Sequence, residues 1–186
     1  MTACAVVLAA GGGSRFVGGG HKLLAPLGDR TVVRRAVEHA AGAGLPVVVV
    51  QGAVDLAPAL TGLDVDVVAN ERWAEGQATS LQVGLAWARR HGHDAAVVGL
   101  GDQPGVPASA WAAVAATTAA PVAVATYDGR RRNPVRLASE VWDALPTAGD
   151  EGARSLMRRR PDLVVEVACE GEPHDIDTTE DLERWS

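Results

Sequence analysis

The sequence predicts an α/β protein of three layers, with a mostly parallel, doubly wound sheet between helices. Three observations carry this. Short Val/Ala-rich runs at residues 3–10, 46–50, 65–69, 95–100 and 121–126 do not alternate polar with apolar residues, the pattern of strands buried on both faces. The intervening stretches 31–43, 78–91 and 109–118 carry apolar residues three and four apart, as crossover helices do. The first run also leads straight into a glycine-rich loop, at the strand end where open α/β sheets gather ligands.

Beyond residue 126 the rhythm changes: residues 133–137 and 163–167 read as further strands, with a helical stretch at 152–159 between them and a closing helix over 178–185. With 186 residues and 47% hydrophobic content, the chain can bury one core, so residues 1–186 are expected to form one domain. A formal charge of −6 argues against a surface built for nucleic acid or anionic membrane and leaves small anionic ligands to local basic groups. Cys4 and Cys169 are far apart, each in an apolar run, which suggests neither a disulfide framework nor a cysteine zinc site and fits a reducing cytosol. The first apolar stretch ends at Gly11, too short for an export signal or a membrane span, so a cytoplasmic location is expected.

Three loops carry the chemistry. After the first strand comes Ala9-Ala10-Gly11-Gly12-Gly13-Ser14-Arg15-Phe16, where successive glycines let backbone N–H groups wrap phosphate oxygens while Arg15 and Lys22 add positive charge; a tight glycine turn is the plainer alternative. A Walker loop is ruled out, because Leu23 follows Lys22 where a magnesium-holding hydroxyl is needed. A dinucleotide fingerprint is weakened by Phe16 in place of its third glycine and by Gln51 where an acidic residue should end the second strand. After the fourth strand, Gly101-Asp102-Gln103-Pro104 puts a carboxylate where it could bind magnesium bridging triphosphate oxygens, or simply cap a turn. Asp175-Ile176-Asp177 offers two more carboxylates, and Thr178 with Asp181 has the spacing of a helix cap.

Together these blocks resemble the MobA-like nucleotidyltransferases, and within them the molybdenum cofactor cytidylyltransferases. The matching stretches are LAAGGGSRF with Lys22, Asn70 to Gln77 leading to Ser80-Leu81, GDQP, Asn133-Pro134, Gly149 to Arg154, and DIDTTEDL, nearly the whole length of the chain. The resemblance implies a Rossmann-like nucleotidyltransferase fold. It also implies transfer of a nucleoside monophosphate from a triphosphate to a phosphate-bearing acceptor, molybdopterin cofactor, with release of pyrophosphate, and a molybdoenzyme as client of the product. By the same resemblance, residues 9–15 hold the triphosphate and Arg15 and Lys22 neutralise it. Asp102 holds Mg2+ with Asp177 or Asp175, and Gly76 and Ser80 meet base and ribose. The Ala9-Ala10-Gly11 opening is the form that CTP-using members tend to have, where GTP-using members tend to have Leu-Ala-Gly-Gly. The chain departs from the family pattern at Phe16 for methionine, at Val17-Gly18-Gly19-Gly20, which lengthens the loop before Lys22, and at Thr179 for proline.

The physical reason for such a site is charge. Two phosphate anions about 4 Å apart repel by about 4 kcal/mol per unit pair at an effective dielectric near 20, so cations must offset them. No protein nucleophile is needed, and no Gly-x-Ser-x-Gly is present. Cys4 and Cys169 read as core residues, and His91 and His93 as surface residues without metal-ligand spacing. Trp73 is a candidate for stacking on a pterin or base. The clusters Arg130–Arg132 and Arg158–Arg160 read as solvated faces, the first with an anion-binding role as its alternative. Within the class, the alternatives are transfer of another nucleotide or a different phosphorylated acceptor, such as a sugar or alcohol phosphate. From another class, a dinucleotide-dependent oxidoreductase would use the same strand, loop and helix but would not need the carboxylates, and a third possibility is a cofactor-carrying chaperone that turns nothing over.

Overall fold

The computed structural model describes residues 2–13, 16 and 20–185. In chain order its elements are β1 (Ala3–Ala9), the short β2 (Pro26–Leu27) and β3 (Arg30–Thr31), α1 (Val32–Ala41), β4 (Val47–Gln51), β5 (Asp66–Ala69), α2 (Gln77–Arg90) and β6 (Ala95–Leu100). There follow α3 (Ala108–Ala116), β7 (Val122–Tyr127), β8 (Arg130–Ala138), α4 (Arg154–Arg159), β9 (Val164–Ala168) and α5 (Thr179–Glu183). Seven strands form one sheet in the order β5-β4-β1-β6-β8-β7-β9, in which β8 runs against the other six.

The valine runs explain the layers. Successive side chains of a strand point to opposite faces. Accordingly Cys4, Val6 and Leu8 pack with Leu81, Leu85 and Ala88 of α2, whereas Ala5, Val7 and Ala9 pack with Val33 and Val37 of α1 and with Trp111 and Val114 of α3. A strand buried on both faces has no polar side to show, which is why β1, β4 and β6 read as unbroken apolar runs. Helix α2 lies close on β1 because Gly84 leaves room: a Cβ there would come within 2.4 Å of a Val6 methyl. Thr31 starts α1 by accepting the Arg34 N–H at 3.3 Å.

One strand differs from expectation. Strand β8 begins at Arg130 rather than at residue 133 and pairs antiparallel with both β6 and β7. The cause is Asp128-Gly129, with φ of 50° and 72°, the left-handed two-residue turn that matches the twist of a hairpin. Arg130, Arg131 and Arg132 are therefore strand residues, paired with Tyr127, Thr126 and Ala125. The register slips between Val124 and Ala125, opposite Asn133 and Pro134, where proline has no N–H to give to a ladder. Among the described residues no helix is long and apolar enough to cross a membrane.

Candidate active site

The loops that leave β1 and β6 meet at the carboxyl edge of the sheet, and the long start of β8 reaches the same edge because it runs backwards. Lys22, first residue of a short 3-10 turn, lies over this edge. Its Nζ donates to Asp102 Oδ2 at 2.6 Å and to Asp177 Oδ1 at 2.8 Å. The three side chains are mostly enclosed, 12%, 18% and 29% exposed in that order. Burial opposes the ammonium charge of Lys22, but the two carboxylates outweigh it and hold its pKa above the usual lysine value. Burial raises the Asp102 carboxyl above the ordinary carboxylate range, Lys22 pulls the other way, and nearby Asp175 adds to the rise.

Backbone and side-chain bonds bind the motif-bearing loops into one unit. Leu8 O accepts the Gly101 N–H at 2.9 Å, and Asp102 O accepts the Ile176 N–H at 2.9 Å. Gln103, 5% exposed, donates to Asp175 Oδ1 at 2.7 Å and accepts from Asn133 Nδ2 at 3.1 Å. Thus the Asp-Gln-Pro loop, Asn133 and the Asp-Ile-Asp segment share one network. Ile176 is fully buried in a small core with Leu27 and Val32, with Phe16, Leu182 and Trp185 packed against it. In an extended segment, residues two apart share a side, so burying Ile176 turns Asp175 and Asp177 toward the cleft. Asp181 accepts the N–H groups of Asp177 and Thr178 at 3.2 and 3.0 Å, completing the capping box of α5 and fixing the backbone that carries Asp177.

Two clefts open here, sharing Leu8, Gln77, Leu100 and Asp175. The smaller, about 380 Å³, is lined by Ala10, Gly11 and Gly12, by Lys22, Asp102 and Asp177, and by Trp73, Gly76 and Ser80 on the far side. The larger, about 500 Å³, has a floor of Leu81, Val98, Val135 and Met157 and a rim that includes Arg131, Arg132, Arg154 and Arg158. Arg131 is paired with Glu166 at 2.7 Å and Arg158 with Glu151 at 2.5 Å. Both arginine clusters thus contribute to a cavity wall as well as to the surface.

Several expected site residues stand just outside the smaller cleft. Ala9 is buried against α1, and Gly101 lies beneath it, where a Cβ would come within 2.9 Å of the Ala9 Cβ. Gly13 sits behind the Lys22 stem. Ser14, Arg15 and the 17–19 insertion lie outside the described residues. Ser80, 4% exposed, accepts a hydrogen bond from Asn70 Nδ2 at 2.9 Å while its residue lines the cleft. The structure gathers Asp102 and Asp177 around one cation and gives Asp175 to Gln103; among the described residues no group of three or more His, Cys, Asp or Glu could hold a metal.

Sequence reasoning missed three supports. His21 staples the glycine loop to the lysine turn: its Nδ1 accepts the Leu23 N–H at 3.3 Å, which leaves Nε2 as the donor to Gly11 O at 2.9 Å. Burial lowers its pKa, in keeping with that neutral ring. The Gly149-Asp150 block caps α2, with Gly149 O accepting the Ala78 N–H at 2.8 Å and Asp150 Oδ1 the Gln77 N–H at 3.3 Å. Gly76, at φ 110°, is required there, since a Cβ would lie 2.5 Å from Gly149. Asn70 is the third, bridging Thr79 and Ser80 at 2.9 Å each. Trp73, 36% exposed, lays its ring against Gly12, where a Cβ would come within 3.1 Å. His91 and His93 stack on Trp87 at 4.1 and 5.6 Å, at the opposite end of the sheet.

The MobA-like NTP transferase domain family matches residues 5–164. The chain belongs to that family. Its similarities within and around the family are close over their whole length. Nicotine blue oxidoreductase of Paenarthrobacter nicotinovorans is 32% identical, across 96% of this chain and 94% of that one. Rv0371c of Mycobacterium tuberculosis H37Rv superposes with a TM-score of 0.86 at 31% identity, covering 99% and 96% of the two chains. A complex of Rv0371c with manganese gives 0.82 at 28%, covering 100% and 98%. A nucleotidyl transferase from Methanothermobacter thermautotroptrophicus gives 0.84 at 26%, covering 98% and 95%. The fold is the Rossmann-like α/β fold of the nucleotidyltransferases.

Proposed function

We propose that residues 1–186 act as one nucleotidyltransferase domain that moves a nucleoside monophosphate, CMP in preference to others, from a triphosphate to a phosphate-bearing acceptor, with loss of pyrophosphate. The acceptor in this reading is molybdopterin cofactor, and a molybdoenzyme takes the product. One observation carries the reading: a lysine and two carboxylates converge beside a glycine loop, in the smaller of two adjoining clefts.

A divalent cation fits these residues. Mg2+ keeps several waters and needs only one or two carboxylates besides substrate phosphates, and Asp102 and Asp177 already converge on the Lys22 ammonium. They would hold it, with Asp175, engaged by Gln103, as the alternative. The manganese complex of Rv0371c, a protein of similar fold, supports use of a divalent ion. Bound there, Mg2+ would screen the triphosphate and stabilise charge on the leaving pyrophosphate.

The chain's own groups do the rest. Gly11 and Gly12 line the smaller cleft, where their N–H groups would donate to phosphate oxygens, and Lys22, with Arg15, neutralises the β- and γ-phosphates. Gly76 and Ser80, across the cleft, meet base and ribose. The arginine rim of the larger cleft holds the anionic acceptor, whose phosphate oxygen bonds to the α-phosphorus as the bond to pyrophosphate breaks on the opposite side. The aliphatic floor suits a flat, weakly polar body behind that phosphate.

A second reading has one observation in its favour, the 32% identity to a protein named an oxidoreductase. Hydride transfer from a nicotinamide dinucleotide would place a pyrophosphate by the same glycines. Asp102 and Asp177 would then repel it with no metal ion to mediate, Lys22 already being spent on the two carboxylates, and Gln51, at the end of β4, spends its side-chain oxygen on the Leu56 N–H at 2.8 Å. Both features favour nucleotidyl transfer. Thermal melting distinguishes the two. A ligand at a hundred times its dissociation constant stabilises by about 2.7 kcal/mol, or roughly 5–11 °C for a chain of this size. Mg2+ with CTP is expected to give that shift, and a shift with NADPH alone would overturn the assignment.

A further inference from the structure

Lys22 does two incompatible things in the account above: it bridges Asp102 and Asp177, and it meets the triphosphate. An ammonium 2.6 and 2.8 Å from the two carboxylates stands at the point they share, and two of its three N–H donors are spent on them. We propose that Lys22 is an exchangeable counter-ion, which neutralises the Asp102–Asp177 pair until a divalent cation takes that place and only then turns its ammonium to the phosphates. The inference rests on the nucleotidyltransferase reading and adds an order of events to it.

A dication coordinated by both carboxylates would sit within a few ångströms of Nζ, and like charges at that range in a mostly enclosed site repel by several times the thermal energy. The lysine must therefore leave. Its anchor permits this: the Cγ is held beside Gly13 and the backbone opens the 3-10 turn at Lys22–Leu24, while the atoms beyond Cγ rotate freely about three bonds. Lys22 lines the same cleft as Gly11 and Gly12, so a turn of the head carries the charge toward the phosphate loop without moving the chain. Two consequences follow for binding. Lys22 competes with the metal when no nucleotide is present, and it cooperates once a triphosphate offers it another anion.

The test reads Mn2+ binding by electron paramagnetic resonance of the free ion, in protein without acceptor so that nothing turns over. Wild type, Lys22→Met, Lys22→Gln and Lys22→Arg are each titrated with Mn2+, alone and with CTP, after their melting temperatures have been compared. Without nucleotide, the two neutral variants are expected to bind Mn2+ about tenfold more tightly than wild type, a change of about 1.4 kcal/mol, and Lys22→Arg about as weakly as wild type. With CTP the order is expected to reverse, the neutral variants binding the pair of ligands more weakly. Adding Asp177→Asn to Lys22→Met is expected to abolish the gain. Neutral variants that bind Mn2+ alone no better than wild type, while Mn2+ and CTP still bind together, would overturn the exchange and leave the enzyme reading standing. Failure of Mn2+ to bind any form, with or without CTP, would overturn both.

Discussion

Asn70→Ala is the perturbation whose size the structure specifies best. Asn70 is 4% exposed and makes three side-chain hydrogen bonds: to Thr79 Oγ1 and Ser80 Oγ at 2.9 Å, and from the Arg72 N–H at 3.0 Å. At about 1 kcal/mol each the loss is about 3 kcal/mol, which lowers the melting temperature by roughly 6–12 °C in a chain of this length. Ser80→Ala alone breaks one of those bonds, so the double mutant should be less destabilised than the sum of the singles by about 1 kcal/mol. The same bonds hold the 70–76 segment, with Trp73 and Gly76, against the nucleotide cleft, so CTP affinity should fall as well. Urea titration at constant m-value gives the stabilities, and calorimetry the binding. A melting shift under 2 °C, or strict additivity in the double mutant, would refute the idea that Asn70 ties the loop to α2.

Other expectations follow from single contacts. Asp102→Asn should fold normally and lose at least about a hundredfold in turnover, the equivalent of about 2.7 kcal/mol of barrier, in a steady-state assay; full activity would remove Asp102 from the chemistry. Gly84→Ala gains up to about 1 kcal/mol of helix propensity, but its Cβ, 2.4 Å from a Val6 methyl, should cost about 1–3 kcal/mol, for a net loss in denaturant titration; a stabilised variant would contradict the close approach of α2 to β1. Cys4 is buried and its thiol is pushed up to about 12 by desolvation, and burial raises half-buried Cys169 too, so at pH 8 a thiol reagent should label at most one cysteine until the protein is unfolded. Two labelled thiols in the native state would contradict that burial.

What could be read from the chain ahead of its structure depended on how local the cause was. Strands β1, β4 and β6 announce themselves because burial on both faces removes every polar residue from the run, and Thr31 announces α1 because a cap acts within three residues. Asp128-Gly129 is just as local and marks the hairpin that reverses β8; the arginines after it hide the start of the strand, since an unbroken apolar run marks a strand buried on both faces and a charged edge does not. The site divides the same way. The glycine loop and Asp102 stand at strand ends and could be placed by topology. The pairings of Lys22 with Asp177 and of Gln103 with Asp175 span 155 and 72 residues and leave no local trace. For that reason Asp175 and Asp177 are equivalent in sequence, and only their contacts, Asp177 with Lys22 and Asp175 with Gln103, tell them apart. The bonds of Asn70 and His21 span ten residues or fewer, but they depend on how irregular loops turn back on themselves, which no periodicity marks.

Phosphorus chemistry at the Lys22–Asp102–Asp177 edge can be measured directly. Purified protein is incubated with Mg2+, molybdopterin cofactor and CTP or GTP labelled at the α-phosphate. Pyrophosphate and label on the acceptor are followed together, with NADPH oxidation read in a parallel cuvette. Label is expected to pass from CTP in step with pyrophosphate, little from GTP, none after Asp102→Asn, with no oxidation of NADPH. Oxidation of NADPH without any transfer of label, from either nucleotide, would contradict that chemistry.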